Sequence, residues 1–132
     1  MDKEDFFMDE AMEKITDSEL EVMKVLWNSD SPLPLSRIRS DLQQAMSWEA
    51  ATIKTLLARL VSKKAILQEK REVFYYSALV SEKEYNTWAT TKLINRLYKG
   101  KASNLVAALL NTDGITKDDI DELRRMFSGE EP

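Results

Sequence analysis

The sequence predicts a mainly α-helical chain carrying one small β-hairpin. Three observations predict it. Apolar residues recur at spacings of three and four through most of the 132 residues. The period switches to two only between Ile66 and Leu79. Hydroxyl or acidic residues able to cap a helix stand at the head of several apolar stripes. A chain of this length buries about two-thirds of its unfolded surface, which suffices for one modest core and leaves room for association to help.

The first helix is expected over Asp17 to Asn28, where Leu20, Met23 and Trp27 share a face with Val22 and Leu26 beside it, and Thr16 or Asp17 can cap it. Ser29 to Pro34 reads as a break. Leu35, Ile38, Leu42 and Met46 then mark a second helix. After Ser47 and Trp48, a third pattern places Ile53, Leu56, Leu57 and Leu60 within about a third of the helix circumference. Ile66 to Lys70 and Val73 to Leu79 are rich in β-formers and form the hairpin around Arg71 and Glu72. With neither Gly nor Asn at that turn, type I′ geometry is disfavoured. Alternation puts Val73, Tyr75 and Ser77 on one side and Phe74, Tyr76 and Ala78 on the other, so one aromatic row can close over the helices. Three helices and a hairpin in this order make a winged helix-turn-helix.

Helical signals resume at Ser81, whose capping box with Glu84 opens a stripe of Tyr85, Trp88 or Ala89, Leu93 and Leu97 running to Gly100. Leu105, Val106, Leu109 and Leu110 form the next apolar face, with Gly114 able to end that helix in a left-handed cap. Thr116 and Asp119 begin a last helix, with Ile120, Leu123 and Phe127 as its stripe. No stripe encloses a core alone. The economical arrangement is a symmetric pair with the same segment of a second chain, through Trp88, Leu93, Leu97, Leu105, Leu109, Ile120, Leu123 and Phe127. The organisation expected is an acidic segment over 1–14, a winged-helix domain over 15–80, a helical dimerisation domain over 81–128 and a tail over 129–132.

Composition removes whole classes of chemistry. The chain has no cysteine and no histidine, so the usual ligands of zinc, copper and iron are missing, as are disulfides and every nucleophile that depends on an imidazole. No metal, cofactor or catalytic site is expected. Met23, Met46 and Met126 lie on apolar stripes and read as core filling rather than Cu(I) ligands. The longest strictly apolar run, Leu105 to Leu110, is far short of the roughly 18 residues a membrane span needs. The acidic start, Met1 to Glu13, has no secretory signature, so a cytoplasmic protein is expected.

Net charge is −4, but it is unevenly spread. From Ala50 to Tyr75, Lys54, Arg59, Lys63, Lys64, Lys70 and Arg71 stand against Glu69 and Glu72, a local balance of +4, while both ends are acidic. The outer face of the third helix carries Ala51, Thr55, Ala58 and Ser62, with Thr52, Lys54 and Arg59 on its shoulders. A solvated face usually carries long Glu and Lys side chains. Short, hydroxyl-bearing residues flanked by cations suit a helix that must approach base edges closely in a DNA major groove. The competing class is a helical protein-interaction adaptor on the same scaffold without DNA, which leaves that small-residue face and the local positive charge unexplained. No spacing brings a base, a nucleophile and oxyanion donors together, so an enzyme is not expected.

The run Ile15-Thr16-Asp17-Ser18-Glu19-Leu20-Glu21-Val22-Met23-Lys24-Val25-Leu26-Trp27 resembles the opening of the penicillinase-repressor and copper-transport-repressor family. Trp48-Glu49-Ala50-Ala51-Thr52-Ile53-Lys54-Thr55-Leu56-Leu57-Ala58-Arg59-Leu60-Val61 resembles its recognition helix. The likeness continues through Tyr76-Ser77, Ser81 to Gly100 and Asp118 to Arg124. It implies a homodimeric repressor that occupies an inverted-repeat DNA operator and is displaced by a stress signal of antibiotic or metal type. By position, the base contacts implied are Ala51, Thr52, Lys54 and Thr55. Phosphate contacts are expected from Arg37, Arg39, Arg59, Lys63, Lys64, Lys70 and Arg71. Ala51 replaces a lysine of the penicillinase branch, and the wing between Leu67 and Phe74 is shorter than the family's and lacks its glycine. Copper-responsive members end in Cys-x-Cys motifs that this chain lacks. The Asn-Phe bond cut in β-lactam-responsive members is replaced by Ala108-Leu109, which leaves an inactivating protease and the inducing signal open.

Overall fold

The computed structural model describes residues 10–129; residues 1–9 of the expected acidic segment and 130–132 of the expected tail lie outside the described residues. Helix α1 (Asp17–Trp27) begins where the sequence provides a capping box. Thr16 Oγ1 accepts the Glu19 N–H at 3.2 Å, and Glu19 Oε1 accepts the Thr16 N–H at 3.0 Å. Two of the four orphan donors of the helix start are thereby satisfied. Val22, Met23 and Leu26 go into the core.

Helix α2 (Leu35–Met46) buries Ile38 and Leu42, one turn apart, and ends on a left-handed Ser47. Helix α3 (Ala50–Ser62) buries Ile53, Leu56, Leu57 and Leu60, the four positions the sequence pattern singles out. Strands β2 (Ile66–Lys70) and β3 (Phe74–Ala78) pair antiparallel from Ile66 opposite Ala78 to Lys70 opposite Phe74. The connection is therefore a three-residue loop, Arg71 to Val73, one residue longer than expected, closed by the Arg71 N–H on Val73 O at 3.0 Å. None of its residues has a positive φ, so the turn is not of the I′ type.

The expected break before α2 contains a third strand. In β1 (Leu33–Pro34), Leu33 pairs with Tyr76 and Pro34 with Tyr75, giving the sheet order β1-β3-β2. Proline has no N–H for a ladder, and its place on an edge strand is where that lack is tolerated. Of the two rows it is Tyr76 that closes over the helices, while Phe74 in the same row stays exposed. Trp27 Nε1 donates to Val80 O at 2.8 Å, and Tyr85 stacks at a tilt between Trp27 and Trp88, with centroids 5.7 and 5.8 Å apart. The departing chain is thus fastened to the end of α1. Leu57→Ala should destabilise the protein by about 2–5 kcal/mol in urea unfolding, because Leu57 is wholly enclosed. Leu79→Ala at an exposed position should stay within about 0.5 kcal/mol.

Helix α4 (Glu82–Tyr98) starts at the Ser81–Glu84 capping box. It closes through left-handed Lys99 and Gly100, with the Gly100 N–H on Ile94 O at 3.2 Å. The chain forms two compact units that part within α4, one through Trp88 and the other from Ala89 onward. In the second unit, α5 (Ala102–Leu110) ends on Asn111, and α6 (Lys117–Phe127) is capped by Thr116 with Asp119. Gly114 does not take the left-handed conformation expected of it. The Asn111 amide and Thr112 hydroxyl, bonded to Ala107 O and Ala108 O, close α5 before the chain reaches it.

The two units differ in burial. In the first, α1, α2, α3 and the sheet enclose a continuous core that includes Met23, Ile38, Leu42, Ile53, Leu57, Leu60, Ile66 and Val80. In the second, no residue from 89 to 129 is buried. Met46 and Met126 correct an expectation: both are exposed, and of the three methionines only Met23 fills the core.

Candidate nucleic-acid interface

With its apolar side locked into the core, α3 turns Ala51, Thr52, Lys54, Thr55, Ala58, Arg59 and Ser62 outward, and all seven are exposed. The helix period sets this division: residues 53, 56, 57 and 60 define one face, and 51, 55, 58 and 62 lie opposite. Thr55 Oγ1 donates back to Ala51 O at 3.0 Å. Its proton is therefore occupied, while its oxygen lone pairs and methyl remain available to accept a base amino group or meet a thymine methyl.

The shoulders are unlike. Thr52 and Arg59, seven residues apart, form one edge of the outer face. Lys54 forms the other and borders a cleft of about 440 Å³ shared with Leu35, Ala58, Val61, Gln68, Phe74 and Tyr76. Gln68, not singled out in the sequence, donates through Nε2 to the Tyr76 hydroxyl at 2.9 Å and so lies in the trough between α3 and the wing. The two-residue turn expected from the sequence sets Gln68 opposite Tyr75, and only the longer loop brings it opposite Tyr76.

At the wing tip the Arg71 guanidinium lies 4.5 Å from the Tyr75 ring centroid and 3.8 Å from a Glu69 oxygen. Lys70 Nζ is 6.0 Å from the Phe74 centroid. The cation–aromatic contacts hold these two charges out on the hairpin at little cost in solvation. On α2, Arg37 is exposed and pairs with Asp41 at 3.3 Å, and half-buried Arg39 lies in a shallow polar depression with Ser36, Ser40, Gln43 and Gln44. Lys64 is exposed and takes a left-handed backbone conformation.

Lys63, expected at a phosphate, has its ammonium engaged within the protein. Its ammonium points inward, donating to Glu19 Oε1 and to Lys14 O, the latter at 2.6 Å. Burial alone would push the Glu19 carboxyl up. The Lys63 ammonium and the Thr16 hydrogen bonds outweigh burial, and the carboxyl titrates below its usual range.

Of the residues expected at a dimer contact, Trp88 is half-buried against the core of the first unit. Leu93, Leu105, Ile120 and Leu123 are half-buried, and Leu97, Leu109 and Phe127 are exposed. Leu109, Ile115, Leu123 and Met126 line an apolar cleft of about 440 Å³ within the second unit. Among the described residues no cluster of His, Cys, Asp or Glu is placed to hold a metal ion.

Comparison with known proteins fits this geometry. Residues 15–129 match the family model described as penicillinase repressor. The chain is 33% identical over 115 residues to the penicillinase repressor of Bacillus licheniformis, covering 86% of this chain and 89% of that one. It is 30% identical over 122 residues to the methicillin resistance regulatory protein MecI of Staphylococcus aureus (strain N315), covering 92% and 98%. The solution structure of the DNA binding domain of the repressor BlaI superposes with a TM-score of 0.50 at 37% identity, over 55% of this chain and 88% of that one. That domain's winged-helix fold is the fold of the first unit. By the extent of the family match and of these relatives, the chain belongs to the penicillinase repressor family.

Proposed function

We propose that this protein is a homodimeric transcriptional repressor that occupies an inverted-repeat operator in double-stranded DNA and leaves it in response to a stress signal of the antibiotic or metal kind. The observation that carries this reading is the exposed outer face of α3. It holds short side chains, two threonine hydroxyls and cationic shoulders where a solvated helix would carry long polar residues. Placed in a major groove, Ala51, Thr52, Lys54 and Thr55 meet base edges, while Arg59, Lys70, Arg71, Lys64, Arg37 and Arg39 reach phosphates. Lys63 is withdrawn from that set by its inward ion pair.

Two-fold symmetry suits the second unit, whose apolar residues find no core of their own. It presents two recognition helices to half-sites about 34 Å, or a multiple of that, apart. Kinship with repressors named for penicillinase and methicillin resistance supports the repressor role and the signal. No described helix is long and apolar enough to cross a membrane, and a protein with this role works in the cytoplasm, beside its DNA.

Footprinting on the promoter of the protein's own gene tests the reading. Two protected half-sites related by a dyad are expected, and an unprotected promoter at micromolar protein would overturn it. Lys54→Ala should weaken operator binding by about 1–3 kcal/mol in an anisotropy titration and relax base preference at one position of each half-site. An unchanged isotherm would remove Lys54 from the interface.

A further inference from the structure

Glu19 is the one buried charged residue among those described, with no exposed surface, and it lies in α1 rather than at the groove. Its Oε1 accepts both the Thr16 N–H and the Lys63 ammonium, and its Oε2, also buried, has no hydrogen-bond partner in the structure. Lys63 is the C-cap residue of α3, immediately after the last helical turn. Its ammonium also holds Lys14 O. Three segments therefore converge on one nitrogen: the chain just before α1, the first turn of α1, and the carboxyl end of the helix that carries Thr52 and Thr55.

Leu57 and Leu60 seat that end of α3 in the core, but apolar contacts are non-directional and define its orientation less sharply than a hydrogen-bonded ion pair does. An ion pair with one partner wholly enclosed and the other half-buried is directional. It adds little net stability, since desolvation offsets most of the attraction, but it strongly penalises any geometry that separates the two charges. We propose that Glu19 and Lys63 are positioning residues for DNA recognition, the ion pair between buried Glu19 and half-buried Lys63 fixing the carboxyl end of α3 against α1 and thereby the angle at which the outer face of α3 meets base pairs. The inference rests on the DNA-binding reading above and assigns Lys63 a role through α3 rather than through a phosphate.

Full-length Glu19→Gln, Lys63→Met and Lys63→Arg proteins, each checked for native circular dichroism, are titrated with the footprinted operator duplex at several salt concentrations. Both Glu19→Gln and Lys63→Met should bind about tenfold more weakly, because a recognition helix displaced by a fraction of an ångström loses alignment with base edges. The direction is diagnostic for Glu19→Gln. It takes away a negative charge from a protein of net charge −4, so general electrostatics would strengthen DNA binding, and only misplacement weakens it. The slope of log K against log salt should be unchanged in Lys63→Met, and Lys63→Arg should recover most of the loss.

A slope smaller by about 0.9 in Lys63→Met would make Lys63 a phosphate contact and overturn the proposal. Binding by Glu19→Gln as tight as wild type would also overturn it, even with a lowered unfolding temperature. If Lys63→Met does not fold, Glu19→Gln carries the test. A measurement without DNA separates this proposal from the DNA-binding reading: amide NMR shifts in Glu19→Gln should change along α3 as far as Ala51 to Thr55. Changes confined to the neighbours of residues 19 and 63 would overturn the positioning role whatever the protein binds.

Discussion

Replacing Leu109 and Leu123 together with glutamate is expected to convert a dimer into a monomer and to lower operator affinity about 100- to 10,000-fold. The reasoning starts from burial. Both side chains line the apolar cleft between α5 and α6, where Leu109 is 42% exposed, and no described residue of the second unit is buried in the single chain. Amphipathic helices with nothing to cover their stripes do not persist in water without a partner surface. In the proposed dimer a second copy supplies one, and a glutamate at either position would have to be desolvated in that contact at a cost of several kcal/mol. Sedimentation should then report the 15.2 kDa chain mass in place of twice that value. The affinity loss follows from effective concentration, because the second half-site is occupied intramolecularly in a dimer and independently in two monomers. Binding to an isolated half-site should be unchanged, since both substitutions lie outside the winged unit. A wild-type chain already sedimenting at 15.2 kDa would refute the assembly claim.

The winged unit was legible because its determinants are local. Thr16 and Glu19 cap α1 within four residues, Ile53, Leu56, Leu57 and Leu60 repeat at helical spacing, and the hairpin changes the period to two. The features that escaped are non-local or ambiguous. Strand β1 is two residues long and contains a proline, so nothing in its own composition marks it; only pairing with Tyr75 and Tyr76, some forty positions on, makes it a strand. Lys63 and Lys64 are adjacent lysines in a basic stretch, and sequence gives no means of telling which one turns inward. That choice depends on Glu19, 44 residues away, whose place in a capping box gave no hint that its carboxylate would also be enclosed. Met46 and Met126 show the limit of stripe reading: apolar spacing identifies a face but not whether the chain itself covers it. Gly114 was credited with a helix stop that Asn111 and Thr112 provide three residues earlier.

Thr55→Glu should weaken operator binding by about 3 kcal/mol, or roughly 100-fold, at moderate salt while leaving the fold intact. Thr55 is exposed in the middle of the outer face of α3, and its hydroxyl bonds only to the backbone of its own helix. Glutamate is the better helix former, so unfolding free energy should stay within about 0.5 kcal/mol of wild type or rise. The effect on DNA arises from two sources of the same sign. A carboxylate brought among phosphates is repelled, and the longer side chain holds the helix away from base edges that a threonine methyl can touch. Thr55→Val separates these from the hydroxyl itself: it keeps shape and methyl and removes the acceptor together with the bond to Ala51 O within the helix, so its loss should be below about 1 kcal/mol unless a base amino group uses that oxygen. An anisotropy titration of all three proteins against one operator decides the matter. If the glutamate variant binds as tightly as the wild type, the outer face of α3 is not the surface that reads DNA. The small side chains there would then need another explanation, and a protein-interaction role for the winged scaffold would become the better account.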